Sequence, residues 1–167
     1  HNVAGDMDDW YGESNAVSSG SSVTGPSGPN TGDDYIYIET SSNYDMYYSG
    51  DYAYLESNSI TQPGVTLSFY YHMYGNGTGV MSVESYNGST WTQRWSVTGQ
   101  QHTSSAAAWT QATVDMSAYT VTKLRFKYRK TLNSYRGDAA LDDIVVSYTT
   151  VVPDVLADTY NNLTIDA

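Results

Sequence analysis

Residues 65–97 read VTLSFYYHMYGNGTGVMSVESYNGSTWTQRWSV, and this stretch decides the fold class. Its first ten residues are apolar or aromatic on both faces, which is typical of a central strand in a covered sheet. Asn76-Gly77 and Asn87-Gly88 are strong hairpin turn signals, and residues 80–86 alternate between apolar and polar side chains. Three consecutive antiparallel strands are therefore predicted, the third over residues 91–97.

The rest of the chain repeats this pattern of short strands and turns, and helix signals are nearly absent. Residues 11–34 are rich in Gly, Ser, Pro and Asn and are predicted as turn and loop. Short strands with a turn about every ten residues indicate an all-β fold, an antiparallel two-sheet jelly-roll β-sandwich. The domain is expected over 1–150, and 151–167 as a tail that is a linker, an extra strand or the start of a neighbouring domain. The other predicted strands are 35–39, 52–55, 109–116, 121–129 and 139–148.

Composition excludes several classes of function. The chain of 167 residues has a formal net charge of −11, which disfavours binding to nucleic acid or to an anionic membrane. It contains no cysteine and therefore no disulfide or thiolate metal site. No apolar run is long enough for a membrane span, and no signal peptide is recognised at the start. The 17 tyrosines suit surfaces that bind polar ligands, although tyrosine is also common in ordinary strands.

Several segments together resemble the MAM domain family. They are GDMDDW at 5–10, TGPSGPNTGDDYIYIETS at 24–41, SFYYHMYGNGTGVMSVES at 68–85, TGQQHTSSAAAWTQATVDMS at 98–117, LRFKYRK at 124–130 and YRGDAALDDI at 135–144. The resemblance implies a non-catalytic extracellular module that acts in adhesion, self-association or ligand recognition beside other domains. It also implies a secreted or cell-surface location.

Two departures from the family pattern stand out. The four cysteines of animal members are absent, which favours a cysteine-free bacterial relative. The family's usual opening strand, which carries an acidic residue and a tryptophan, is missing before the aspartates at 6–9. Either the domain was trimmed at this end, or the tail at 151–167 supplies the strand.

Acidic residues near both ends of the chain suggest a structural calcium site. Calcium takes six to eight oxygen ligands, and the first and last strands of a jelly roll are often neighbours. With the resemblance, this predicts calcium at Asp9, Glu39 and one of Asp142 and Asp143, beside Asp6 and Asp8. Successive strand residues face opposite ways, so both members of the last pair bind only if the strand is bulged. The alternative is that these are solvated surface carboxylates.

Five of the seven basic residues lie in KLRFKYRK at 123–130. Leu124, Phe126 and Tyr128 are predicted to face the core, so the alternate cations form an outward stripe. Such a stripe attracts anions, and arginine suits planar sulfate, carboxylate or phosphate groups. The alternatives are an edge strand protected by its charges and salt bridging to nearby carboxylates. The candidate contacts for a sulfated or uronic polysaccharide are Lys123, Arg125, Lys127 and Arg129, with Trp91, Tyr47, Tyr48 and Tyr52 as stacking partners.

Other motifs carry less weight. Arg136-Gly137-Asp138 matches a cell-adhesion tripeptide, but the resemblance places Gly-Asp before the last strand as part of the fold. Tyr70, His72 and Tyr74 share a strand face that could stack on sugars or serve a lyase, although packing is the favoured interpretation. No nucleophile elbow, phosphate loop or histidine cluster is present, so no enzymatic activity is predicted.

The sequence therefore predicts a non-catalytic carbohydrate-binding module that recognises an anionic polysaccharide beside an attached enzyme. The alternative is a protein–protein adhesion or self-association module of a secreted or surface multidomain protein. The expected partners are a polysaccharide or a cell-surface protein, together with neighbouring domains of the same polypeptide.

Overall fold

Two antiparallel sheets face each other in the computed structural model, which describes residues 2, 6, 9–14, 18–19, 21–44 and 46–149. The strands of this described part are β1 (Tyr11–Glu13), β2 (Tyr35–Ile38), β3 (Tyr52–Glu56), β4 (Thr66–Met73), β5 (Val80–Tyr86), β6 (Trp91–Thr98), β7 (Thr110–Asp115), β8 (Lys123–Arg129) and β9 (Ala139–Ser147). One sheet has the order β1-β2-β9-β4-β7 and the other β3-β8-β5-β6. Most connections cross from one sheet to the other, as in a jelly roll, so the predicted fold class is confirmed.

The strand positions are predicted correctly in eight places and missed in one, but β4 and β5 do not form the hairpin predicted at Asn76-Gly77, because they lie in different sheets. Residues 11–13 fall in the predicted loop 11–34, but they form β1 by pairing with β2, from Tyr11↔Tyr37 to Glu13↔Tyr35. Three residues carry too little periodicity to reveal a strand. Long-range pairing and the contact between the Tyr11 and Tyr37 rings, 6.1 Å apart, stabilise it instead. The predicted tail at 151–167 lies outside the described residues.

The core lies between the sheets, and alternation selects its members. Leu67, Phe69, Tyr71 and Met73 of β4 point inward and are buried. The Phe69 ring meets the Phe126 ring edge-on, with centroids 4.8 Å apart. Both faces of β4 are covered: Phe69 on the inner face packs against Phe126 of the other sheet, and His72 on the outer face packs against His102 and Trp109, which explains the apolar character of the strand on both sides.

No described helix is long and apolar enough to cross a membrane.

We expect Gly79→Ala to destabilise the fold, by about 1–3 kcal/mol. Gly79 is buried before β5, and a Cβ there would overlap the backbone carbonyl oxygen of Arg129. Its N–H also donates to the Tyr128 hydroxyl at 2.7 Å. Gly12→Ala in the exposed part of β1 is the matched control, because its Cβ meets nothing within 4 Å. Urea unfolding of both variants checks this, and equal losses of stability would contradict the packing argument.

Candidate functional site

The basic stripe lies on the outer face of the four-stranded sheet, away from any edge. β8 pairs with β3 on one side and β5 on the other, so protection of an edge strand is the wrong explanation for its charges. The register sets Glu56 of β3 and Glu84 of β5 on either side of Arg125. It also sets Tyr54 beside Lys127. The stripe therefore runs down the middle of a sheet face, with acidic and aromatic residues beside it.

Arg125 is held on four sides. Its guanidinium lies 2.6 Å from a Glu84 oxygen and 3.7 Å from a Glu56 oxygen. The same group lies over the Tyr54 ring at 3.9 Å and the Trp91 ring at 4.1 Å. Lys123 also pairs with Glu56, at 3.4 Å. Salt bridging, one of the alternatives from the sequence, thus accounts for this half of the stripe.

Lys127 and Arg129 form the other half of the stripe, and no ion pair joins either to a described carboxylate. The Lys127 ammonium lies 5.6 Å from the Tyr52 ring centroid and 5.4 Å from that of Tyr54. Arg129 is exposed and faces Tyr52 across the β3–β8 pair. These two cations are the ones available to an anionic ligand.

Aromatic residues flank the stripe on both sides. Tyr52 and Tyr54 lie on β3 with ring centroids 5.3 Å apart, and Tyr86 and Trp91 lie across β5 and β6 at 5.1 Å. Sequence reasoning selected Tyr52 and Trp91 but missed the other two. The signal was available, because Tyr54 follows Tyr52 by two residues and so shares its face.

Tyr47 and Tyr48, also predicted as ligand contacts, lie in the turn before β3. Their rings meet edge-on at 5.2 Å, and Tyr48 is 63% exposed. The turn is fixed to the segment after β8, since Gly50 N–H donates to the Lys130 carbonyl at 3.0 Å. The pair therefore adjoins the Arg129 end of the stripe and is not part of the sheet face itself.

The aspartate pair of β9 binds a loop of the same chain. The β4–β9 register shifts between Ser68 and Tyr70, and Asp143 has a positive φ of 48°. A bulge is the condition under which both aspartates can bind one partner, and here it lets both carboxylates contact the same loop. Asp142 accepts the Asn30 N–H at 2.7 Å, and Asp143 accepts the Asn30 amide at 2.8 Å and the Thr31 hydroxyl at 2.6 Å. These hydrogen bonds hold the pKa of Asp143 below its usual range, with Thr31 the larger cause.

The four predicted calcium ligands do not converge. Glu39 is buried and accepts the Ser41 N–H at 2.9 Å, whereas Asp9 is exposed and Asp142 and Asp143 hold the loop. Across the described residues, no three His, Asp or Glu side chains are grouped so as to hold a metal ion. Asp6 accepts the Tyr54 N–H at 2.6 Å instead, and Asp8 is outside the described residues. The predicted ligand set therefore does not fit one ion.

The tripeptide at 136–138 is part of the fold, as the resemblance implied. Gly137 and Asp138 are buried, and the Tyr128 hydroxyl donates to the Gly137 carbonyl at 2.5 Å. The Asp138 carboxylate accepts hydrogen bonds from Ser19 and Thr40. Burial, and then the charge of Glu39, raise the pKa of Asp138 to about 7. A receptor that binds the exposed aspartate of such a tripeptide cannot reach this buried carboxylate.

His72 is a packing residue. It is fully buried, and its ring stacks on His102 with centroids 4.2 Å apart and 17° between the planes. The Nδ1 of His102 accepts the Met73 N–H at 2.9 Å, so that nitrogen carries no proton. Burial, and then His102, lower the pKa of His72 to about 4. A buried neutral ring cannot contact a polymer in solution, which removes it as a sugar-stacking surface or lyase base.

Comparison with known proteins gives consistent matches. The family model "MAM domain, meprin/A5/mu" matches residues 2–150. The chain is 36% identical over 133 residues to MAM domain-containing protein 2 of Mus musculus, with 74% of this chain and 18% of that protein covered. The chain thus spans less than a fifth of that relative.

Solved structures show a similar fold. A cleaved adhesin domain of Lys-gingipain has a TM-score of 0.59 at 18% identity, covering 89% of this chain and 87% of that one. A second cleaved adhesin domain of Lys-gingipain, from Porphyromonas gingivalis, also has a TM-score of 0.59, at 14% identity, covering 90% and 89%.

We expect His72→Gln to flatten the pH dependence of stability between pH 6.5 and about pH 4. The pKa of His72 falls from 6.5 in the unfolded chain to about 4 in the folded chain, so the unfolded chain takes up the proton first as the pH drops. The stability that this histidine contributes is complete above pH 6.5 and is lost as the pH approaches 4.

Urea unfolding at stepped pH, with wild type and variant side by side, measures this difference. The raised pKa of Asp138 acts in the opposite direction, since its stabilising effect is lost as the pH rises toward 7. Because both proteins contain Asp138, its effect cancels in the comparison. Parallel stability curves for the two proteins would rule out the histidine effect.

Proposed function

The chain belongs to the MAM domain family, and we propose that it is a non-catalytic extracellular binding module for an anionic polysaccharide. A sulfated or uronic polymer lies on the outer face of the four-stranded sheet. The module is secreted or displayed at the cell surface, where it holds neighbouring domains of a longer polypeptide close to the polymer.

The proposal rests on one observation: Lys127 and Arg129 lie beside tyrosines and form no ion pair with a described carboxylate. Lys123 and Arg125 on the same face do form salt bridges. The paired half is electrically balanced, because Glu56 and Glu84 offset Lys123 and Arg125. The other half keeps an uncompensated positive charge among the described residues, so it attracts anions despite the net charge of −11. Tyr52 and Tyr54 supply flat apolar surface with polar tips, which suits sugar rings.

Arg125 supports the site without contacting the ligand through its charge. It occupies a face of both Tyr54 and Trp91 and is anchored by two carboxylates, so it fixes those rings before binding. Preorganised aromatic rings lose little conformational entropy when a ligand docks, which favours binding of an otherwise weakly held polar polymer.

We expect Lys127→Ala and Arg129→Ala each to weaken binding of a sulfated polysaccharide, such as dextran sulfate, by about threefold to tenfold. The dependence of binding on salt should also decrease, because each variant removes one exposed ionic contact that salt screens. Lys123→Ala is the matched control from the same strand, since its charge is already paired with Glu56. Affinity electrophoresis at several ionic strengths, with neutral dextran as the reference polymer, provides the measurement.

The adhesion alternative has a different signature in the same experiment. If dextran sulfate and a uronic polymer fail to retard the wild type while sedimentation shows concentration-dependent dimers, the module is one for self-association. Equal effects of Lys123→Ala and Lys127→Ala would also refute the assignment of the ligand to the unpaired half.

We further propose that the calcium predicted from the sequence binds at Glu39 with Asp138 as the second carboxylate, in place of Asp142 and Asp143. Both side chains are buried, and the charge of Glu39 contributes to the raised pKa of Asp138. A divalent cation next to this pair would offset their repulsion.

Calcium should therefore raise the melting temperature, a chelator should reverse the rise, and Glu39→Gln should abolish it. Asp143→Asn is the control that keeps the response, because Asp143 serves the loop at Asn30 and Thr31. Differential scanning calorimetry of the wild type and both variants, with and without calcium, measures these melting temperatures. A wild-type melting temperature that neither calcium nor chelator changes would exclude this site.

A further inference from the structure

Half of β9 has a strand partner on one side only. β4 pairs with β9 out to Thr66↔Ser147, but β2 pairs only with Ala139–Leu141. Beyond Leu141 the strand is bulged, and the carboxylates of Asp142 and Asp143 accept hydrogen bonds from Asn30 and Thr31 in the loop before β2. In the described part of the chain, no strand pairs with residues 144–147 on the side opposite β4.

An apolar cleft of about 460 Å³ opens beside this edge. Ile36 and Leu141 line it together with Ile144, which also borders a smaller cleft of about 190 Å³ between the two sheets. The exposed fractions are 38% for Ile144 and 54% for Val145, which is high for apolar side chains next to an open core. An unpaired strand edge beside exposed apolar side chains is the arrangement that accepts an added strand.

The charge of the cleft selects the kind of strand. Its described lining carries Glu13, Asp34, Asp142 and Asp143 and no lysine or arginine. A second copy of this chain would bring its own charge of −11 to the cleft. Residues 150–167 contain three aspartates and no basic residue, so they too would add negative charge. Electrostatic complementarity therefore favours a basic occupant.

We propose that residues 144–147 and the adjoining cleft dock an extended, basic polypeptide segment of a partner protein, which adds a strand to the five-stranded sheet. Backbone hydrogen bonds to β9 supply the affinity, and alternate apolar side chains of the segment enter the cleft beside Ile144. The basic side chains between them face the carboxylates of the rim. This surface involves the opposite sheet from Lys127 and Arg129, so it does not depend on the polysaccharide proposal.

Hydrogen exchange of the full chain tests the proposal with three synthetic nonapeptides. The first alternates lysine with valine and threonine, the second replaces every lysine by glutamate, and the third keeps the lysines but has proline at alternate positions. We expect the first peptide to slow exchange at least tenfold at those amides of 144–147 that point away from β4, and the other two peptides to leave it unchanged. Asp34→Asn should weaken the first peptide about threefold, whereas Asp115→Asn on β7 should not.

Three results would overturn the proposal. If the amides of 144–147 that point away from β4 are already protected in the chain alone, the chain's own tail or a second copy covers the edge, and sedimentation then tells these apart. Equal protection by the lysine and glutamate peptides would remove the charge argument. Absence of protection by the lysine peptide would remove the docking surface itself.

Discussion

The buried carboxylate of Asp138 is the constraint on which the arrangement of strands depends. A buried carboxylate is tolerated only when its oxygens are hydrogen-bonded, and here the Ser19 hydroxyl at 2.9 Å and the Thr40 N–H at 3.1 Å serve that purpose. The Asp138 N–H donates to Thr24, whose hydroxyl donates in turn to the Tyr74 carbonyl. One residue at the start of β9 thus fixes the end of β2, the end of β4 and the loop that covers them.

The same stretch also joins the two sheets. The Tyr128 hydroxyl of β8 donates to Gly137 and accepts from Gly79, and the buried Lys130 ammonium donates to the carbonyls of Gly77 and Ser134. Burial lowers the pKa of Lys130 to about 8. The tripeptide that resembles an adhesion signal therefore connects the two sheets, and its aspartate serves hydrogen bonding inside the protein.

Much of this fold is local in origin and therefore readable from the sequence. Alternation along β5 and β8 fixes strands and faces, and Asn87-Gly88 marks the hairpin between β5 and β6, without any knowledge of the other strands. Asn76-Gly77 joins strands of different sheets, and the choice between a hairpin and such a crossover is not a local property. β1 was missed because a three-residue edge strand exists only through its pairing with β2. The sequence correctly predicts that the basic residues share one outward face of β8. It does not predict that half of them form salt bridges while the other half do not. That division depends on which residues of β3 and β5 lie opposite Arg125, and register across strands distant in sequence is set by tertiary packing.

The contacts of the acidic residues are likewise set by tertiary packing and cannot be predicted from the local sequence. The number and position of these residues predict a single ion site that includes Asp142 and Asp143, yet several of these carboxylates bind groups of the protein itself. Asp142 and Asp143 fasten a loop, Asp6 caps the Tyr54 N–H at the edge of β3, and Glu56 and Glu84 hold Arg125. A binding partner therefore meets only the surface charge that these internal contacts do not neutralise. It is positive around Lys127 and Arg129 and negative at the cleft beside β9, so a chain with a net charge of −11 presents surfaces of opposite sign. Because exposed charges interact only over about 8 Å in physiological salt, the local sign decides which ligand each surface accepts.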